Sequence, residues 1–77
     1  MTVKVYSTPT CPYCIQAKKY LDEHNISYEN TDVSSNSEAA KEMINKSGQR
    51  GVPVLDINGE IVLGFDKEKI DRLLNIN

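Results

Sequence analysis

The stretch from Val3 to Cys14 reads VKVYSTPTCPYC, and it contains the signals from which the rest of the fold can be built. Its first five residues, up to Ser7, alternate apolar and polar side chains and are rich in β-branched and aromatic types, which predicts a strand. The next three residues interrupt that pattern. Pro12 then suits the first turn of a helix, where a missing N–H costs nothing. Both cysteines of the chain, Cys11 and Cys14, therefore lie where a strand gives way to a helix.

In the first half of the chain, capping residues predict where the helices begin and end. Asn25 is a plausible left-handed end for the first helix, and a second strand over residues 27–33 completes a β-α-β unit with parallel strands. Ser35 with Glu38 three residues later fits a capping box and predicts a second helix, which Gly48 ends. On the first helix we expect one buried face and a charged remainder that includes Lys18 and Lys19. That buried face is predicted to contain Cys14, Ile15, Ala17, Tyr20, Leu21 and His24.

Turn chemistry defines the second half of the chain. Asn58-Gly59 lies between two short apolar runs and predicts a type I′ hairpin, because that turn requires positive φ at both central positions. Asp66 suits the N-cap of a third helix, with Phe65 and Ile70 as a hydrophobic staple. The element order is therefore β-α-β-α-β-β-α. It predicts an α/β fold with a four-stranded mixed sheet flanked by three helices.

Size and composition narrow the class of protein. The chain has 77 residues, 39% of them hydrophobic and 26% charged, which predicts one folded domain spanning residues 1–77. The net charge is −2 with both signs interleaved, so no basic face for nucleic acid or a membrane surface is expected. Residues 1–6 show no charged leader followed by an apolar run, and no apolar run approaches the roughly 20 residues of a membrane span. We expect a monomeric cytoplasmic protein.

The cysteine pair is the candidate site. A sulfur at a helix start meets unpaired N–H groups and the positive end of the helix dipole, which favours a thiolate at Cys11. Cys14 lies one turn further along on the same side and is expected to be more buried. We therefore predict that Cys11 attacks a disulfide and that Cys14 resolves the mixed disulfide. Tyr13 between them is expected to project outward as a contact for a docking molecule.

Other interpretations of two cysteines remain open at this point. Cytosolic cysteine pairs are usually catalytic, redox-sensing or metal-binding, although buried cysteines can also be inert. A zinc site needs four ligands, and the chain adds only His24 at the far end of the helix, so no metal ligands are assigned. An iron–sulfur cluster shared by two chains through Cys11 is a further alternative, which Pro12 and Cys14 disfavour. A redox-regulated adaptor without turnover is another.

Three motifs in the same order resemble the glutaredoxin family, and more narrowly the small bacterial glutaredoxins and glutaredoxin-like redoxins. They are Cys11-Pro12-Tyr13-Cys14, Gly51-Val52-Pro53 and Gly64-Phe65-Asp66. The resemblance covers essentially the whole chain. It implies a thioredoxin fold, a dithiol/disulfide cycle of the two cysteines and no bound cofactor. It also implies glutathione as co-substrate and disulfide-containing proteins as clients.

The resemblance also implies binding roles for the second and third motifs. Val52 and Pro53 correspond to a cis-proline loop beside the cysteines, where the main chain before the proline pairs with an extended substrate. Gly64, Phe65 and Asp66 correspond to the stretch that holds the γ-glutamyl end of glutathione.

Two departures from the family pattern concern the electron donor. Thr8 stands where glutaredoxins usually have a lysine that pairs with a glutathione carboxylate, and Gly51 where they commonly have threonine. Arg50 is a candidate source of the missing positive charge. The departures keep open a donor other than glutathione, namely a flavoprotein such as thioredoxin reductase, as for the redoxins that serve ribonucleotide reductase.

Overall fold

The structure is a computed structural model that describes residues 2–75, so Met1 and residues 76–77, the ends of the predicted 1–77 domain, lie outside the described residues. The predicted β-α-β-α-β-β-α order is confirmed. The elements are β1 (Val3–Ser7), α1 (Pro12–Glu23), β2 (Glu29–Asp32), α2 (Ser37–Ser47), β3 (Val54–Ile57), β4 (Glu60–Leu63) and α3 (Lys67–Leu74).

The four strands form one mixed sheet in the order β2-β1-β3-β4. β1 runs parallel to β2 and antiparallel to β3, and β3 runs antiparallel to β4. Tyr6 near the end of β1 is opposite Val54 at the start of β3, and Val54 is in turn opposite Leu63 at the end of β4. The loop before α1, the loop before β3 and the loop before α3 therefore leave the sheet at the same end.

Helices cover both faces of the sheet. Successive side chains on a strand point to opposite faces, so Val5 and Tyr6 enter different clusters. α1 and α3 pack on one face and α2 on the other. The first cluster contains Val3, Val5, Ala17, Leu21, Leu55, Ile57, Val62, Ile70 and Leu74, and the second contains Tyr6, Met43 and Val54.

A polar network attaches α2 to the sheet. The hydroxyl of Tyr6, a fully buried side chain, donates to the carboxylate of Glu42, and the ammonium of Lys4 lies 2.8 Å from the same carboxylate. Lys46 Nζ lies 3.0 Å from the Tyr6 hydroxyl and 2.8 Å from Asp56 Oδ2. These contacts lower the pKa of Glu42 to about 2, the hydrogen bond from Lys4 being the largest cause.

The N-cap of α2 differs from the prediction. Asn36 caps the helix, its side chain accepting a hydrogen bond from the Ala39 N–H at 3.1 Å, and Ser35 does not. The Asp32 carboxylate accepts from the Ser34 N–H at 2.9 Å and from the Ser34 hydroxyl at 2.6 Å, so the residues that precede Asn36 form a turn after β2. Ser35 therefore belongs to the turn that ends β2.

The buried face of α1 is narrower than predicted. Cys14, Ala17 and Leu21 are buried, but Ile15 is 54% exposed and His24 is exposed at the helix end. A 12-residue helix against a small sheet covers only one row of side chains. The other predicted turns and ends are confirmed by positive φ at Asn25, Gly48, Asn58 and Gly59. Between residues 2 and 75 no helix is long and apolar enough to span a membrane.

Candidate active site

Cys11 is the N-cap residue of α1. Its backbone is extended, with φ −91° and ψ 112°, and its Sγ accepts a hydrogen bond from the Cys14 N–H at 3.2 Å. Pro12 occupies the first turn, as predicted. The sulfur thus takes the position that a side-chain oxygen takes at most N-caps, and it lies at the positive end of the helix dipole. Both features favour negative charge on this sulfur.

Cys14 lies in a different environment although it is only one turn away. Its side chain is 0% exposed. Burial is the main cause that raises the pKa of its thiol to about 11, and the hydrogen bond and charge of Cys11 act in the same direction. The Thr8 main chain and the Lys18 ammonium act in the opposite direction. Cys14 is therefore a protonated thiol at neutral pH, and the two cysteines, both free thiols, are chemically unequal.

The loop before β3 lies beside Cys11. The Cys11 thiol is 3.8 Å from the carbonyl oxygen of Val52. The peptide bond between Val52 and Pro53 is cis, as the resemblance implied. Pro53 is buried and its carbonyl accepts a hydrogen bond from the Gly64 N–H at 2.9 Å. The second and third motifs are thus joined by a main-chain bond, which extends the register of the hairpin one residue beyond the pair Val54 and Leu63.

The Gly64-Phe65-Asp66 stretch leads into α3. Gly64 has φ +71°. Asp66 is exposed and caps α3 through a bond from the Lys69 N–H at 3.2 Å. The Phe65 side chain packs edge-on against the Tyr20 ring, with 5.7 Å between centroids, and so belongs to the core. Main-chain groups and the Asp66 carboxylate are what this stretch presents to a ligand.

The remaining candidate residues surround the cysteines at the surface. Tyr13 projects outward with 63% of its side chain exposed, as predicted. The Thr8 carbonyl accepts a bond from the Cys11 N–H at 3.4 Å. Arg50 is exposed, and within residues 2–75 no hydrogen bond or ion pair joins it to Cys11 or Cys14. In the same part of the chain, no three His, Cys, Asp or Glu side chains are placed to hold a metal ion.

Lys18 lies near the site, although the sequence pattern assigned it only to the charged face of α1. Lys18 is half-buried and its charge acts on Cys14. The signal available in the sequence was its spacing, four residues after Cys14 on the same helix, which places the two side chains as neighbours.

Known proteins share both the sequence and the shape of this chain. A glutaredoxin-like 8.6 kDa protein of the rubredoxin operon of Clostridium pasteurianum is 44% identical over 72 residues, covering 94% of this chain and 96% of that protein. The T8A mutant of the thioredoxin-like protein BC3987 superposes with a TM-score of 0.93 at 36% identity, covering 99% of this chain and 97% of the other. The glutaredoxin-like NrdH-redoxin of Escherichia coli gives a TM-score of 0.85 at 26% identity, with 95% of each chain covered.

A four-stranded mixed sheet with three helices and a cysteine pair at the start of α1 defines a thioredoxin-fold protein with a dithiol site. The family model for glutaredoxin matches residues 3–62. The chain belongs to the glutaredoxin family, which is a family of thiol–disulfide oxidoreductases.

Proposed function

We propose that the protein reduces disulfides through a Cys11–Cys14 dithiol/disulfide cycle. The Cys11 thiolate attacks one sulfur of the substrate disulfide, which forms a mixed disulfide and releases the first substrate thiolate. Cys14 then loses its proton and attacks Cys11 Sγ, which releases the second thiolate and leaves a Cys11–Cys14 disulfide. The proton from Cys14 and one proton from water neutralise the two leaving thiolates, so two electrons pass from the cysteine pair to the substrate.

The observation that carries this proposal is the inequality of the two sulfurs. Cys11 Sγ accepts the Cys14 N–H at 3.2 Å at the start of a helix, whereas Cys14 is fully buried and has a raised pKa. An attacking sulfur must be accessible and placed where its negative charge is stabilised, and a resolving thiol must stay protonated until the mixed disulfide forms. Cys11 fits the first role and Cys14 the second.

We assign the substrates as protein disulfides and glutathione mixed disulfides, with glutathione as electron donor and no bound prosthetic group. The Val52 carbonyl beside Cys11 suits main-chain pairing with an extended substrate. Gly64 and Asp66 suit the zwitterionic γ-glutamyl end of glutathione, because a helix start offers main-chain N–H groups to its carboxylate and Asp66 offers a carboxylate to its ammonium. Tyr13 is assigned to contact with the client. In this proposal the protein acts as a cytoplasmic monomer.

A second candidate is a redoxin that a flavoprotein reductase reduces. Thr8 supplies no positive charge where glutaredoxins usually have lysine, and Arg50 is exposed and makes no hydrogen bond or ion pair with either cysteine among the described residues. The similar NrdH-redoxin is described as a glutaredoxin-like protein with a thioredoxin-like activity profile.

Comparison of donors tests both candidates. The oxidised protein is mixed either with glutathione, glutathione reductase and NADPH or with thioredoxin reductase and NADPH, and NADPH consumption is followed with a disulfide substrate present. Faster turnover with glutathione supports the first candidate, and turnover only with thioredoxin reductase supports the second. Cys11→Ser is the inactive control. Activity that survives Cys11→Ser would refute the dithiol mechanism itself, and Cys14→Ser is expected to act only on glutathione mixed disulfides.

A further inference from the structure

Lys18 is placed to act on the resolving cysteine. It follows Cys14 by four residues on α1, so the two side chains lie on the same face of the helix. Because side chains on a helix lean toward its N-terminus, we expect the Lys18 stem to extend toward the turn that contains Cys14. Lys18 is half-buried, whereas the adjacent Lys19 is exposed.

The Lys18 ammonium has no competing partner in the part of the chain that the structure describes. Lys4, Lys46 and Lys67 each pair with a carboxylate within 4.0 Å, but no ion pair or hydrogen bond there involves Lys18. The nearest carboxylate by helix spacing is Asp22, one turn further along, and it accepts instead from the Tyr28 hydroxyl at 3.5 Å.

We propose that Lys18 is a positioning residue for the resolving step, in which its ammonium stabilises the Cys14 thiolate as that thiolate forms. This inference rests on the proposed dithiol cycle and extends it to a residue outside the three motifs.

The need for such a charge follows from the chemistry of the mixed disulfide. Groups that act on the Cys14 thiol come from two segments: the loop before α1 supplies the Thr8 main chain and the Cys11 sulfur, and α1 supplies Lys18. Once Cys11 is in a mixed disulfide its sulfur carries no charge, so its repulsion of a second thiolate is gone. Burial still opposes ionisation of Cys14, and the Thr8 main chain and Lys18 remain to offset it.

A two-step release assay separates attack from resolution. The reduced protein is mixed with 5,5′-dithiobis(2-nitrobenzoate), so that attack by Cys11 releases one coloured thiolate and resolution by Cys14 releases the second. Lys18→Ala is expected to slow the second release about three- to tenfold at pH 7 and to leave the first release within twofold, because one charge near a thiol has an effect of this order. Lys18→Arg is expected to restore the second release.

Lys19→Ala is the matched control, since it removes the same charge from the next residue on an exposed position. An equal slowing by Lys18→Ala and Lys19→Ala, or an equal slowing of both releases by Lys18→Ala, would overturn the inference.

A second measurement does not depend on turnover. In a Cys11→Ser background, the rate of Cys14 alkylation by iodoacetamide is followed against pH with Lys18 intact and with Lys18→Ala. The titration midpoint is expected to move upward in the Lys18→Ala protein. If the midpoint is unchanged, the role of Lys18 is refuted even if the dithiol cycle operates. If the midpoint shifts but the protein with both cysteines has no disulfide reductase activity, the dithiol cycle is refuted and the effect of Lys18 on Cys14 stands.

Discussion

Asp66 has two roles that substitution can separate. It caps α3 through the Lys69 N–H at 3.2 Å, and in the proposed function its charge also holds the ammonium of glutathione. Asparagine caps helices about as well as aspartate but carries no charge. Asp66→Asn therefore removes the binding role and keeps the cap, whereas Asp66→Ala removes both.

The expected magnitudes follow from the exposure of the residue. Loss of an N-cap costs about 1 kcal/mol, which lowers Tm by about 4–8 °C in a domain of this size. Because Asp66 is exposed, its pairing with an ammonium contributes about 0.5–1 kcal/mol, which corresponds to a two- to fivefold change in KM. Asp66→Asn is thus expected to raise KM for glutathione by two- to fivefold with a small change in Tm. Asp66→Ala is expected to change both.

The measurements are thermal unfolding by circular dichroism and steady-state kinetics with glutathione as varied substrate. Asn36→Ala is the matched control, because Asn36 caps α2 through the Ala39 N–H at 3.1 Å and lies outside the three motifs. It is expected to lower Tm as Asp66→Ala does and to leave KM unchanged. If Asp66→Asn leaves KM for glutathione at the wild-type value, the carboxylate has only its capping role and the assignment of Asp66 to glutathione binding is wrong.

Three further predictions concern pH, labelling and backbone conformation. Glu42→Gln is expected to lower the free energy of unfolding by its full amount above pH about 4.5 and by progressively less as the pH falls toward 2. The reason is that Glu42, whose pKa is lowered, contributes stability only while its carboxylate is ionised. Urea denaturation from pH 7 to pH 2 measures this, and a constant difference from wild type would contradict it. At pH 7 iodoacetamide is expected to label Cys11 before Cys14, because a buried thiol of pKa about 11 is ionised in only about one molecule in 10,000. Peptide mass spectrometry reports the order of labelling. Equal labelling of the two cysteines would argue against the proposed roles. Gly64→Ala is expected to cost about 1–2 kcal/mol because φ is +71°, and unaltered thermal unfolding would show that this loop relaxes freely.

Local signals predicted most of the elements correctly. The hairpin at Asn58-Gly59 and the cap at Asp66 depend on backbone requirements that few residue types meet, so the residues themselves indicate the structure. The cap of α2 was mispredicted because Ser35 and Asn36 are both good caps. The choice between them depends on the turn that ends β2, which the Asp32 carboxylate closes through the Ser34 N–H and hydroxyl and which extends through Ser35.

The assembly of the site required contacts between distant parts of the chain. No local pattern indicates that β3 pairs beside β1, yet this pairing brings the Val52 carbonyl to 3.8 Å from the Cys11 thiol. The bond from the Gly64 N–H to the Pro53 carbonyl, in contrast, continues the register of the hairpin, in which Val54 is opposite Leu63, so the Asn58-Gly59 turn signal already placed these two residues together. The resemblance to a family supplied the cis peptide bond, which the residues alone did not favour.

The use of a sulfur as the N-cap of α1 couples helix stability to redox potential. The 3.2 Å bond from the Cys14 N–H has its full strength only when Cys11 is a thiolate, because a disulfide sulfur is neutral and a weaker acceptor. Whatever this cap contributes to α1 therefore stabilises the reduced protein relative to the oxidised one. A dithiol stabilised in this way has a higher reduction potential, so the start of α1 adjusts how strongly the pair reduces its substrates.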